Sequence, residues 1–114
     1  MCSSDLLRVA GDCVHDQHDY RLADSAFHVA IADISGSARL IAAEAQIQVE
    51  LTELLHSIPR PAAALEVSNA QHAPILKAIA AGRPEPARTA AIAHVEGTYS
   101  WFIGLSLGQI KAVD

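Results

Sequence analysis

The sequence predicts an all-α fold, an antiparallel helical bundle of about five helices, and three observations carry that prediction. Half of the 114 residues are apolar (51 %) and only 4 % are aromatic, a vocabulary of alanine, leucine and isoleucine that suits packed helices better than sheets. Apolar residues recur at three-and-four spacing in successive segments, and none sustains two-residue alternation. The breaks between those segments are short, which favours antiparallel neighbours. A chain of this length has room for one domain with a single core.

The first helix is expected over about Ser4 to Val14, with Leu6, Leu7, Val9 and Ala10 to one side and Ser3 or Ser4 as cap. The polar run His15 to Asp19 reads as a turn. A second helix, about Tyr20 to Ile34, carries the stripe Tyr20, Phe27, Ile31, Ile34, and Ser35-Gly36-Ser37 breaks it. The third runs from about Ala38 to His56. Its expected buried stripe is Leu40, Ala43, Ile47, Leu51, Leu54 and Ile58, and Pro59 and Pro61 end it. A fourth helix lies within Ala63 to Ala81, with Pro74 predicting a kink or a late start near Asn69 and Gly82 as its stop. Pro84 or Pro86 opens the fifth, which continues to about Leu107.

Composition narrows the function. Lys and Arg total 8 against 13 Asp and Glu, a net charge of −5, so this piece has no basic surplus with which to hold phosphates. The longest stretch free of charge and histidine, Gly97 to Ile110, is too short and glycine-rich to span a bilayer. The first residues lack the basic start and apolar run of a signal peptide. Cys2 and Cys13 form no disulfide framework and no metal-type pair. The expectation is a soluble, reduced, cytoplasmic protein.

Polar residues intrude on the faces meant for hydrocarbon. Asp24 and His28 stand four apart on the second helix, beside Phe27 and Ile31. His72 is in register with Leu65, Leu76 and Ile79. His94 belongs to a stripe of Ala87, Ala90, Ala91, Thr98, Trp101 and Leu105. Buried and unpaired, such groups are expensive. Taken singly, each is more simply a surface pair or a hydrogen-bonded core histidine. One carboxylate and three imidazoles aimed at one bundle axis would together suit a divalent transition metal, with positions left for water or ligand.

Three stretches resemble the FCD domain, the C-terminal effector-binding domain of the FadR branch of GntR transcription regulators. Asp24-Ser25-Ala26-Phe27-His28 with Ile31, Ala32, Ser35 and Gly36 is similar to its DxxFHxxIAxxSGN signature. Gln71 to Gly82 resembles EHxxILxAIxxGD, and Ala87 through Val95 resembles AxxAMxxHL. The resemblance implies an antiparallel helical bundle that holds a metal through Asp24, His28, His72 and His94, zinc or nickel by donor chemistry. It also implies a small carboxylic or sugar acid as effector, a homodimer, and DNA contact only through an N-terminal winged helix-turn-helix. Nothing like that reading head stands in this sequence, so residues 1–114 are expected to be an effector-binding and dimerisation domain lacking it, and lacking the family's own first helix or two. The pattern departs at Ser37 (usually Asn), Gln71 (often Glu), Pro74, and Arg83 (usually Asp, a lost cap).

Two other readings stay open. One is a small metalloenzyme using the same four ligands to activate water. Against it, no carboxylate is evidently poised as general base, since Glu44, Glu50 and Glu66 cannot be placed from sequence. The other is a relic bundle that binds nothing. His15 and His18 read as a solvated turn, His56 as a helix C-terminal cation, and Ser25 and Ser68 have no nucleophile elbow. Gly97, Gly104 and Gly108 read as points of close helix approach.

Overall fold

A computed structural model of the chain describes the backbone of residues 3–113 and the side chains of residues 5–104. All regular structure among them is α-helical: α1 (Ser3–Asp12), α2 (Gln17–Ile34), α3 (Ala38–Leu55), α4 (Ala62–Ala70), α5 (His72–Ala80) and α6 (Pro84–Val113). The all-α class is therefore as the sequence predicts. The expected fourth helix is two helices, α4 and α5, so there are six in place of about five. Its break falls at Gln71, which puts Pro74 in the first turn of α5, where its missing N–H leaves no helical bond unmade. The same break divides the chain into two compact units, Met1–Ala70 and Gln71–Asp114.

In the first unit α1 packs on α2, α2 on α3, and α4 on both α1 and α2. Ala10, Val14, Tyr20, Ala23 and Leu65 form its buried core, with Val9 and Cys13 against them. Asn69 ties α4 to α1 by donating to the Leu7 carbonyl at 3.2 Å. The expected turn over residues 15–19 is shorter than the sequence indicates. The Asp16 side chain accepts the Asp19 N–H, so α2 starts at Gln17 and His18 and Asp19 lie in its first turn.

Between α2 and α3 the chain reverses at Gly36, whose φ of +68° is the left-handed conformation that favours glycine. Ser37, where the family usually has asparagine, caps α3 by accepting the Leu40 N–H. Across this turn Gln17 reaches residues 55–60. Its amide donates to the Ile58 carbonyl at 2.7 Å and accepts the Arg60 N–H at 2.8 Å, which makes α2 and α3 antiparallel.

One expected face is turned around. On α3, Leu40, Ile47 and Leu54 are each more than half exposed, while Gln48 and Leu55 are buried. The cause sits opposite, on α2. Arg21 is buried there, its guanidinium requires an acceptor, and Gln48 supplies one, so α3 presents a polar row to its neighbour. Ile34 is also exposed, in the last turn of α2 beside the reversal.

The second unit is a helical hairpin of α5 and α6. Its turn has the two bonds of a Schellman closure, Arg83 N–H to the Ala78 carbonyl and Gly82 N–H to the Ile79 carbonyl, with Gly82 at φ +68°. Pro84 then opens α6 with its φ already helical. Gly97 permits close approach as anticipated, since a Cβ there would lie 3.3 Å from the Gln71 amide nitrogen. No such neighbour surrounds Gly104. The expectations for Cys2, Leu105 and Gly108 concern side chains outside the described residues.

Candidate metal centre

Each unit brings together two of the residues singled out by sequence. In the first, Asp24 and His28 are one turn apart on α2, and a carboxylate oxygen of Asp24 lies 3.3 Å from His28 Nε2. Asp24 is buried and His28 half-buried, with its ring edge-on to Phe27. In the second, His72 opens α5 and His94 lies in the third turn of α6. Ten residues before Gly82 and twelve after it, the hairpin sets them side by side. Both are buried, and their Nε2 atoms face each other at 3.1 Å.

Those two separations carry chemical information. Two ligand atoms on one zinc ion at about 2.0–2.1 Å, subtending about 90–109°, stand about 2.8–3.4 Å apart. Each unit thus presents a donor pair at the edge length of a coordination shell. Gln71 adds an orienting contact, with its amide oxygen 2.7 Å from His94 Nδ1. An amide oxygen only accepts, so Nδ1 holds the proton and the lone pair of His94 is on Nε2, facing His72. The residue that departs from the family's usual glutamate therefore fixes a histidine tautomer.

Asp24 is held from its other side. Arg21 NH1 donates to its second carboxylate oxygen at 2.7 Å, and both side chains are about 7 % exposed. Arg21 NH2 donates to the Gln48 amide oxygen, and the Gln48 nitrogen donates to Glu44 at 2.6 Å. One chain of charge-assisted bonds runs from Glu44 on α3 to Asp24 on α2. The sequence reading missed Arg21 and Gln48, left Glu44 unplaced, and noted Gln71 only as a departure from a motif. A signal for the first was present: Arg21 stands three before Asp24, between Tyr20 and Asp24 on the inward face.

The comparisons with known proteins bear on these residues. The family model of the FCD domain matches residues 6–97, most of the chain and all four of Asp24, His28, His72 and His94. The chain belongs to the FCD domain family. No match is found among curated proteins or among solved structures. FCD domains are regulatory effector-binding domains. Among the described residues of this FCD domain, no helix is long and apolar enough to cross a membrane.

Near the Arg21 network, Tyr20 is wholly buried, with the Arg60 guanidinium 5.9 Å from its ring centre. Burial, helped by the negative charge of Asp24, pushes the phenol up to about 12. Burial likewise draws the Arg60 guanidinium below its ordinary value. The folded FCD domain keeps the Tyr20 proton at pH values where the unfolded chain releases it. The stabilisation is then complete below about pH 10, where an unfolded tyrosine titrates, and is lost as pH rises through 12. Alkaline titration followed at the phenolate absorbance should show a component near 12 that Tyr20→Phe removes. A Tyr20→Phe titration curve that keeps this component would contradict the assignment.

Proposed function

We propose that this chain is the ligand-sensing domain of a GntR-family regulator of the FadR branch. It binds one divalent metal, zinc or nickel, through Asp24, His28, His72 and His94, and the metal receives the carboxylate of a small carboxylic or sugar acid. The observation that carries this reading is the pair of donor separations, 3.3 Å and 3.1 Å, on the four residues that the family's motifs single out. Three imidazoles favour zinc or nickel over hard cations. In this reading His72 yields its Nε2 proton position to the metal and takes the other neutral tautomer, while His94 already offers its lone pair. A metal held there would neutralise Asp24 and offer the acid a position without turning it over. Glu44 on α3 accepts from the Gln48 amide and is engaged there.

An acid that ligates better in one arrangement of the helices shifts the population toward it, and DNA-reading heads beyond residues 1–114 report the shift in the cytoplasm. Dimerisation is supported by an exposed apolar row on α6, Ile92, Val95, Tyr99 and Ile103. The test is metal content by mass spectrometry on protein purified without a histidine tag or chelator, followed by thermal shift with a panel of small acids. About one metal per chain and a raised melting temperature with at least one acid are expected. Metal-free protein that stays metal-free after soaking with zinc and nickel would overturn the reading, and consumption of an acid would replace the sensor by an enzyme.

A further inference from the structure

We propose a second ligand site in the first unit, a cleft that takes a small organic carboxylate through Arg21 and Arg60 without any metal. It lies where the start of α2 meets the end of α3 and the loop to α4, encloses about 450 Å³, and contains none of Asp24, His28, His72 or His94. That volume falls in the range of small-molecule sites.

Charge is segregated into this cleft. Among the described residues two arginines line it, and no acidic residue does. Two imidazoles, His18 and His56, and the Ser57 hydroxyl add further hydrogen-bond donors. The carbonyls at the end of α3 would repel an anion, but Gln17 covers them by donating to Leu55 and Ile58. Arg21 supplies the independent pointer to a ligand. It is more than nine-tenths buried, gives its two terminal nitrogens to Asp24 and Gln48, and keeps an Nε–H with no acceptor. A buried donor in that state is costly unless something accepts from it.

The rest of the lining selects the ligand class. Leu55, Ile58 and Pro59 form an apolar side that hydrates poorly and has nothing to offer an inorganic oxyanion. An acid with a hydrocarbon body meets both surfaces, its carboxylate on the guanidinium groups and its body on the apolar side.

The experiment uses the full chain stripped with EDTA, so that the metal centre and this cleft fail separately. Benzoate is titrated while the His18 and His56 ring resonances are followed by NMR, with inorganic phosphate as the second arm. Saturable shifts of both rings with benzoate are expected, with phosphate at least tenfold weaker. Arg60→Gln should weaken benzoate about tenfold. Should that variant not fold, His56→Gln, an exposed position, should weaken it about threefold. Absence of ring shifts, or unchanged affinity in the folded variants, would overturn the site. Phosphate binding as tightly as benzoate would overturn the assignment to an organic acid.

Discussion

His72→Ala and His94→Ala are each expected to lower metal affinity by more than a hundredfold, and Asp24→Ala by a similar factor. The two imidazoles are buried and joined at 3.1 Å, so losing either breaks their mutual contact and removes a ligand outright. A hundredfold loss is about 2.7 kcal/mol of binding free energy. Metal-loaded wild type should accordingly melt higher than its EDTA-treated form, because a ligand at a hundred times its Kd stabilises by about 2.7 kcal/mol, and the three variants should show little of that gap. Gln71→Ala is expected to fall between, at about 10–100-fold, since it frees the His94 ring without removing a ligand. His15→Ala and His56→Ala, both exposed, should bind as wild type does. Competition with a chromogenic chelator measures wild type and all six variants. Equal affinity in His72→Ala and wild type would remove the centre from these residues.

Much of the fold was legible because helices announce themselves by local means. The Ser35-Gly36-Ser37 break, Gly82 as a stop and Pro84 as an opener all work within a few residues of chain. The inward row of α6, Ala87, Ala90, Ala91, His94, Thr98 and Trp101, is at least half-buried as its spacing requires. The orientation of α3 was not legible. Its row Leu40, Ile47, Leu54 is as periodic as any in the chain, and periodicity says that residues share a face but not what covers that face. The choice was made by a residue on another helix, since Arg21 needs Gln48 opposite it. The polar residues of the site divide the same way. Asp24 and His28 are four apart on one helix and visible as a pair, and His72 and His94 are visible as intrusions on apolar faces. Gln71 was noted only as a departure from a motif, because its bond to His94 closes across the hairpin.

Arg21→Met is expected to destabilise the EDTA-treated protein by about 3–5 kcal/mol, the effect of removing one partner of a buried ion pair. Asp24 and Arg21 are both about 7 % exposed, so water cannot take over the role of the lost guanidinium, and the Gln48 amide oxygen loses its donor as well. Urea unfolding measures the loss. Two further measurements isolate its origin. If uncompensated charge on Asp24 is the cause, Arg21→Met with Asp24→Asn should be more stable than Arg21→Met alone, a coupling that unrelated packing damage would not produce. Zinc should then restore more stability to Arg21→Met than it adds to wild type, because the metal takes over neutralisation of the same carboxylate. A variant as stable as wild type would show that Arg21 does not hold Asp24. One destabilised but deaf to both Asp24→Asn and zinc would place the role of Arg21 in its contact with Gln48 and α3.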